Sequence, residues 1–380
     1  MANNLVKHLF SHMQKRFLQS SAALSSPSAL RTNGASSSSL TVQFLVDSCG
    51  FPLESSVSVS QKIHIDEKNQ ETVKSVVGLF KSHHFSASQV AELIAKRPQI
   101  LLCKDQRYLQ PKLEYFVNKG FAGERLTMLI MSNPKILARS LDSQIKPSVE
   151  FWSSNLSIHE NFVGLVKRFS WLLTSNLTGN VQPNIDLLRK EGVSKHSLGK
   201  LISLQPRHIT QNLDRTSYAV NTLKDLGFEP SATIFVHALR VILSMSKSTW
   251  KKKIEFMKTM GWKEEQILFA FRKSPSFFSC SEQKIKNAVD FCVNTLKWEP
   301  QAVIDNPILI NLSIEKTLRP RYNVLKVLEL KQLLKGSENI LSLLTRTEKD
   351  FLKYIRKYND EAPDLLKMYI DSKTAKTIGA

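Results

Sequence analysis

Apolar residues fall on a short stripe that recurs along most of this chain. In its first clear copy the stripe consists of Val90, Leu93 and Ile94. The same spacing returns about every 36 residues, with later copies beginning at Leu126, Phe162 and Leu198. Residues three and four positions apart lie on one face of an α-helix, so the pattern predicts one amphipathic helix in each repeat.

A turn follows each of these stripes, and most repeats mark it with a proline followed two and three positions later by apolar residues. The prolines are Pro98, Pro134, Pro206, Pro275 and Pro307. Counting the spacing places Ser170 and Val241 where proline is absent. Proline disfavours the α conformation in the residue before it, so the first helix should end there. A second stripe, such as Leu109, Leu113 and Phe116, then predicts a second helix.

Two further residue types recur within the second half of the repeat. A second proline stands at Pro111, Pro147, Pro183 and Pro320, where a residue in the first turn of a helix has no backbone donor to lose. Glycine closes several repeats, at Gly120, Gly192, Gly227 and Gly261, as a left-handed helix cap requires. Asn155 and Lys297 stand where glycine would close two others.

The repeats together predict an all-α protein. A single helical hairpin cannot bury its stripe, so about seven helix-turn-helix repeats should stack into a curved superhelical solenoid with a concave groove. We expect the repeats at residues 84–336, a divergent N-terminal helical cap at 41–83, and a C-terminal helical cap and tail at 337–380.

The first 40 residues have a different composition. They contain ten serines and four basic residues, and no acidic residue precedes Asp47. Apolar residues from Leu5 to Phe17 lie at helical spacing beside Lys7, Lys15 and Arg16. This composition predicts an organelle transit peptide, disordered before import, with an ordinary serine-rich tail as the alternative. The longest apolar run, Ala232–Met245, is interrupted by His237 and Arg240, so we expect no membrane span.

The chain is strongly basic. Its 53 Lys and Arg against 33 Asp and Glu give a formal charge of +20. Without the first 40 residues, 49 basic residues remain against 33 acidic ones, a net charge of +16. This excess favours a polyanionic partner such as nucleic acid. A well-solvated basic surface, or basicity that serves organelle import, would give the same balance.

Basic residues gather at two repeated places, which we take as candidate contacts to the nucleic-acid backbone. The ends of first helices carry Lys96, Arg97, Lys167, Arg168, Arg272 and Lys273. The starts of second helices carry Lys112, Lys146, Lys251, Lys252, Lys253, Arg319 and Arg321. The helix dipole alone explains cations at a helix C-terminus. Cations at a helix N-terminus oppose the dipole, so the second set points to phosphate binding beside the helix amides.

Residues that would support catalysis or metal binding do not form a recognisable motif. The four cysteines show no CxxC pairing, and no histidine pair has metal-ligand spacing. Cys103 and Cys292 fall at positions suited to small buried hydrophobes. No phosphate-binding glycine loop, nucleophile elbow or HExxH motif occurs. We therefore expect a protein that is not an enzyme and has no cofactor.

The repeat resembles that of the mitochondrial transcription termination factor (mTERF) family. The segments AKRPQILLCKDQRYLQPKLEYFVNKGF and MSNPKILARSLDSQIKPSVEFW carry the resemblance, and both ends of the chain are similar to plant organellar members. The likeness covers nearly everything after residue 40. It implies a left-handed superhelix, a 3₁₀ turn between the two helices of each repeat, and nucleic-acid binding in organelle gene expression. Pentatricopeptide and tetratricopeptide repeats place proline differently or lack it at mid-repeat.

The leading functional expectation is a monomeric, non-enzymatic protein that binds organellar double-stranded DNA or RNA in a basic groove. It would regulate transcription, at termination or initiation, or act in transcript maturation. We expect a mitochondrial location, with the chloroplast as the alternative. The alternative function is a helical-repeat scaffold for a protein partner in organelle ribosome assembly or gene expression, which would expose an apolar patch.

Overall fold

The structure, a computed structural model, describes residues 33–103, 105–156, 161–334 and 339–374. All regular elements in these ranges are helical, which confirms the all-α class of helical repeats. The chain divides into two compact units, Met1–Ala138 and Arg139–Ala380. Most of the predicted leader, residues 1–32, lies outside the described residues, and the rest of it belongs to the first helix.

The first compact unit has seven described α-helices. They are α1 (Asn33–Asp47), α2 (Leu53–Ser60), α3 (Gln70–Ser82), α4 (Ala87–Lys96), α5 (Asp105–Tyr108), α6 (Gln110–Asn118) and α7 (Glu124–Ser132). The helices α1 to α3 lie in and just before the N-terminal helical cap that is expected at residues 41–83. Helices α4 and α6 carry the two apolar stripes, and Val90, Leu93, Leu113 and Phe116 are fully buried.

The second compact unit continues the pattern. Its described α-helices are α8 (Lys146–Asn155), α9 (Phe162–Arg168), α10 (Gln182–Lys190), α11 (Lys195–Leu204), α12 (Leu213–Asp225), α13 (Thr233–Ser244), α14 (Lys247–Thr259), α15 (Glu264–Lys273), α16 (Glu282–Asp290), α17 (Pro300–Asp305), α18 (Ile308–Asn311), α19 (Arg319–Leu330), α20 (Ile340–Thr345), α21 (Glu348–Arg356) and α22 (Leu365–Thr374). No described helix is both long enough and apolar enough to cross a bilayer.

Pro307 leads into the short α-helix α18, but in the other four repeats with a mid-repeat proline this residue initiates the expected 3₁₀ turn between the paired helices. These turns are Pro98–Leu102, Pro134–Ala138, Pro206–Thr210 and Pro275–Ser279. Ser170–Thr174 adopts the same turn without proline, and its Leu172 and Leu173 are buried like their counterparts. The apolar pair within the turn therefore favours the 3₁₀ conformation even where proline is absent, because burial of the pair requires the same change of chain direction.

The repeat that has Val241 in the proline slot differs from the prediction. Residues 233–244 form one continuous α-helix, so this repeat has no separate turn between a first helix and the proline slot. Valine retains the backbone N–H that proline lacks and does not restrict the preceding residue, so the helix continues through the slot. The second helix, α14, starts only after Ser246, whose hydroxyl accepts a hydrogen bond from the Thr249 amide.

The second-helix prolines lie at the first or second residue of their α-helical segments, as predicted. In three repeats a π-helical turn precedes the segment, at Leu141–Ile145, Leu177–Val181 and Ile314–Leu318. The amide of Ile145, for example, donates to the Ser140 carbonyl five residues earlier, at 3.0 Å. A π turn is wider than an α turn, so it accommodates the proline ring and its missing donor.

Left-handed residues close several repeats. Gly120, Gly192, Gly227 and Gly261 have φ between 79° and 97°, which confirms their predicted capping conformation. Lys297, which replaces glycine, adopts the same region with φ 57°. A side chain with a Cβ is strained there, so Lys297 is a point of local strain in the repeat array.

Candidate nucleic-acid interface

The Lys112 side chain points into the protein and is only 6% exposed. Its ammonium group donates to the carbonyl oxygen of Leu137, at 2.6 Å, near the end of the turn Pro134–Ala138 in the following repeat. A short helical turn leaves its last carbonyls without backbone partners. The charged donor satisfies one of them and so joins one repeat to the next.

The same arrangement recurs in the second compact unit. There a polar side chain on the second helix of a repeat donates a hydrogen bond to a backbone carbonyl 23 to 30 residues later in the chain. We call these side chains the inter-repeat donors; they are Lys112, Asn184, Arg215, Lys253, Lys284 and Arg321. Their acceptors include the carbonyls of Leu137, Ile209, Leu243, Cys280, Asn311 and Leu344.

Three predicted phosphate contacts are therefore inter-repeat donors. Lys112 is buried, Arg321 is 3% exposed, and Lys253 is half-buried with its ammonium on the Cys280 carbonyl. These internal hydrogen bonds count against the predicted phosphate contacts of Lys112 and Arg321, and Lys253 is committed in the same way. The recurrence of cations at this helix start has a structural cause, because the next turn presents carbonyls that need donors.

Arg321 forms the most extensive of these contacts. It donates to the carbonyls of Leu344 and Arg346, at 2.8 and 2.6 Å, and to the Glu348 carboxylate, at 3.2 Å. Its guanidinium carbon lies 4.9 Å from the centre of the Phe351 ring. These contacts connect α19 to the last helices of the chain, so Arg321 stabilises the C-terminal end of the array.

Two further residues of this set, Lys146 and Arg319, remain at the surface. Lys146 forms an ion pair with Asp142 at 2.6 Å, and Arg319 forms one with Glu315 at 3.3 Å. Both partners lie one turn earlier, so each pair is a local helical pair of modest energy. A phosphate could still approach these cations, but it would compete with the carboxylates.

The residues at the ends of first helices are exposed, except for the half-buried Arg97. Lys96 pairs with Glu92 at 2.6 Å, and Lys273 donates to the Asp305 carbonyl at 3.0 Å. Arg168 donates to the Gly164 carbonyl at 3.3 Å, and Arg272 approaches the Leu226 carbonyl at 3.5 Å. Contacts to helix and loop carbonyls agree with the helix-dipole explanation.

A smaller group is exposed and has neither an ion pair nor a side-chain hydrogen bond among the described residues. It contains Lys167 on α9 and Lys251 and Lys252 on α14. Lys251 and Lys252 lie in the first two turns of α14, where a positive charge opposes the helix dipole. Lys251 and Lys252 therefore fit the predicted phosphate-binding pattern. Both are cations near the start of a second helix, and neither is bound to a carbonyl or carboxylate of the described residues.

Sequence reasoning missed three other basic residues near the turns. Arg207 is exposed on the turn Pro206–Thr210, and Lys200 and Arg240 are half-buried on α11 and α13. Arg207 directly follows a mid-repeat proline. Its exposure could have been inferred from the sequence, because the next two residues, His208 and Ile209, occupy the buried positions of the turn. Lys200 and Arg240 lie within first helices and not at the two repeated places, the ends of first helices and the starts of second helices, where the predicted basic residues gather.

Burial alters the titration of the groups around Lys112. Loss of hydration lowers the pKa of Lys112, while the nearby Cys103 thiolate acts in the opposite direction. Burial raises the pKa of the Cys103 thiol, and Lys112 partly opposes that change. Cys292 is buried as predicted, with its pKa raised to about 11 by burial, whereas Cys103 is only half-buried. The described ranges contain no group of three or more His, Cys, Asp or Glu that could hold a metal ion.

Comparison with known protein families gives one match. The mTERF family model matches residues 77–291 and 235–352, which together span more than half of the chain. No curated protein matches the chain significantly.

Proposed function

Because this chain belongs to the mTERF family, we propose that it binds organellar DNA or RNA and regulates transcription or transcript maturation there. Family membership supports the coarser statement, an organellar nucleic-acid-binding role. The finer parts of the proposal are termination or initiation of transcription, or maturation of transcripts, without catalysis. The concave groove expected from the repeats also belongs to the proposal.

One observation carries the proposal at the level of side chains. Lys251 and Lys252 are exposed at the start of α14, where they oppose the helix dipole, and neither has a partner among the described residues. The adjacent Lys253 differs, because it is turned to the Cys280 carbonyl. Two exposed ammonium groups without a partner among the described residues suit a phosphate.

The proposed contacts to the backbone are the exposed members of the predicted set together with the half-buried Arg97 and Lys146. They are Lys96, Arg97, Lys146, Lys167, Arg168, Lys251, Lys252, Arg272, Lys273 and Arg319. Binding would release counterions from the nucleic acid, so affinity should fall steeply with salt. About six phosphate contacts would give roughly a thousandfold loss between 50 and 200 mM salt.

The compartment is also a proposal. We propose that residues 1–40 act as a transit peptide to the mitochondrion, with the chloroplast as the alternative, and that the mature chain is a monomer. The serine-rich, acid-free composition of this segment supports import into an organelle.

Crosslinking in purified organelles, followed by sequencing of the bound nucleic acid, tests the proposal. The expected result is a reproducible set of organellar DNA or RNA segments, recovered in smaller amount when Lys251 and Lys252 are both changed to alanine. The matched control is Lys349→Ala with Lys357→Ala, two exposed lysines near the C-terminal end. Recovery of protein partners alone would contradict nucleic-acid binding and support the scaffold alternative.

A further inference from the structure

Three departures from the repeat pattern lie near one junction in the second compact unit. His208 occupies a buried apolar position of the turn Pro206–Thr210, where other repeats have isoleucine, leucine or phenylalanine. His237 lies on the first-helix stripe of the next repeat, and Arg240 immediately precedes the Val241 slot. A polar residue on a core stripe costs stability unless it has a purpose or a partner, so this coincidence calls for a physical explanation.

Packing brings basic groups from three helices to this junction. Helix α13 packs on both α11 and α12 and also contacts the turn Pro206–Thr210. Lys200 of α11 and Arg240 of α13 act electrostatically on His237, and Arg240 and Arg215 act on His208. His237 and Arg240 are three residues apart, so they share one face of α13. We call Lys200, His237 and Arg240, with His208 and Arg215 beside them, the junction cluster.

Positive charge dominates the junction cluster. The charged side chains that act on the two imidazoles are all basic. Arg215 is committed to the carbonyls of Leu243 and Met245, whereas Lys200 and Arg240 have no ion pair or side-chain hydrogen bond within the described ranges. Gathering like charges in a partly buried place is unfavourable without a counter-charge. The cluster therefore has the electrostatics of an anion site.

A second observation points in the same direction. His208 is only 5% exposed, and its Nδ1 atom has no hydrogen-bond partner among the described residues. Buried polar atoms are nearly always satisfied in folded proteins, so this ring nitrogen, on an imidazole that Arg240 and Arg215 influence electrostatically, is open to a ligand or a water molecule. Lys200, His237 and Arg240 are half-buried and so remain reachable from solvent, above the deeper His208.

We propose that the junction cluster is a phosphate subsite, in which Lys200, His237 and Arg240 hold a backbone phosphate and His237 takes up a proton from solvent when that phosphate binds. This rests on the proposed function and adds to it a place and a pH dependence. A phosphate dianion or diester at this place replaces the repulsion between the cations with attraction. It also stabilises the imidazolium form of His237.

The sign of the pH effect follows from the free protein. Burial, Lys200 and Arg240 all lower the pKa of His237, so its ring is neutral at pH 7. A bound phosphate raises that pKa, and affinity therefore increases as the pH falls from neutral through the pKa of the bound state. The turn Pro275–Ser279, which also packs on α13, has no titratable side chain, and the turn Pro206–Thr210 adds only His208 and the exposed Arg207.

A pair of charge-matched variants of the full chain tests the subsite. Lys200→Gln with Arg240→Gln removes two cations from the cluster, and Lys190→Gln with Lys195→Gln removes two exposed cations outside it. Affinity for an organellar DNA or RNA fragment is measured from 50 to 200 mM salt. The cluster variant should lower the salt slope by about two and the low-salt affinity roughly tenfold relative to the control. Equal behaviour of the two variants overturns the subsite.

The pH dependence gives an independent readout. The wild-type affinity for the same fragment should rise between pH 7.5 and 5.5, and His237→Gln should remove most of that rise. His196→Gln, an exposed histidine on α11, is the control and should keep it. A pH profile that is unchanged in His237→Gln contradicts the proton uptake. Circular dichroism and thermal unfolding show whether each variant keeps its fold.

Nuclear magnetic resonance of the His237 ring separates this proposal from the proposed function. Pyrophosphate, used as a small probe, should raise the pKa of His237 in the wild-type chain and not in Lys200→Gln with Arg240→Gln. If the chain binds no nucleic acid but pyrophosphate has this effect, the proposed function fails and the subsite serves free phosphates. If the His237 resonances respond to neither probe, the subsite is refuted even when nucleic acid binds elsewhere.

Discussion

Lys112 and Leu137 are joined by a hydrogen bond of 2.6 Å, from the ammonium group of one repeat to a turn carbonyl of the next. The bond is buried, and five other side chains form equivalent contacts elsewhere along the described chain. The basic residues of this protein thus have two separate tasks. The inter-repeat donors stabilise the array, and the exposed cations remain available to a polyanion.

Changing Lys112 to methionine should lower the free energy of unfolding by about 1–3 kcal/mol, because the Leu137 carbonyl then stays buried without a donor. Chemical denaturation measures this effect. Lys119→Met, at the exposed end of the same second helix, is the control and should change stability by less than about 0.5 kcal/mol. A loss of nucleic-acid affinity with unchanged stability in Lys112→Met would assign this lysine to phosphate after all.

The network around Glu348 should contribute to stability only above acidic pH. Burial tends to raise the pKa of Glu348, but hydrogen bonds from Lys373, Tyr369 and Arg321 outweigh burial and hold the pKa below its usual 4.5. The contribution is therefore full above about pH 4.5 and is lost as the pH falls through the lower value of the folded state.

Glu348→Gln should accordingly reduce stability at pH 7 by about 1 kcal/mol, a value kept small by the partial exposure of the carboxylate. The difference from wild type should shrink as the pH approaches 3. Urea unfolding at a series of pH values measures both effects. A constant difference across the whole range would show that the carboxylate charge does not matter to the network.

His208 should make the protein less stable in mild acid. Burial, with Arg240 and Arg215 nearby, lowers the pKa of His208 from 6.5 to about 4. The unfolded chain binds a proton below pH 6.5 and the folded chain does not, so the free energy of unfolding falls between pH 6.5 and 4. The loss should reach at most about 3 kcal/mol.

His208→Leu restores the apolar residue of the repeat and should remove that loss. Above pH 6.5 the variant should be at least as stable as wild type, because the unpaired buried Nδ1 disappears. His196→Gln, a change at an exposed histidine, should leave the pH profile as it is. Equal acid sensitivity of wild type and His208→Leu would assign the effect to another group.

Lys297 should be replaceable by glycine with a gain in stability. Its φ of 57° lies in the left-handed region, where a Cβ is unfavourable and where four other repeats have glycine. Lys297→Gly should raise the free energy of unfolding by about 0.5–1 kcal/mol, the strain relief exceeding the entropy cost of glycine. Lys297→Ala keeps the Cβ and should give no such gain, so a similar gain from both variants would exclude backbone strain as the cause.

Much of the fold followed from the sequence because its determinants are local. The spacing of Val90, Leu93 and Ile94, the proline after them and the closing glycine each constrain one short stretch of backbone. The continuous helix through Val241 shows the limit of counting, because the repeat period persists where its helix-breaking residue does not. The sequence pattern also did not predict the π turns before Pro147, Pro183 and Pro320, because each π turn forms in the residues that precede the proline.

The candidate site was less predictable, because the direction of a long side chain depends on the neighbouring repeat. Lys251, Lys252 and Lys253 form one run in the sequence, yet only Lys253 reaches the Cys280 carbonyl. Lys112 and Lys146 occupy adjacent repeats, and one is buried while the other pairs with an aspartate at the surface. The carbonyls that decide these outcomes lie about 25 residues away in the chain.

The separation of exposed from inter-repeat cations is tested most directly by the salt dependence of nucleic-acid binding in two double variants. Lys251→Ala with Lys252→Ala should lower the slope of log affinity against log salt by about two, while its stability stays within about 0.5 kcal/mol of wild type. Lys112→Met with Arg321→Met should lower stability by several kcal/mol and, where folded, keep the wild-type slope. The reverse pattern, with the slope lowered only in the second variant, would contradict the account.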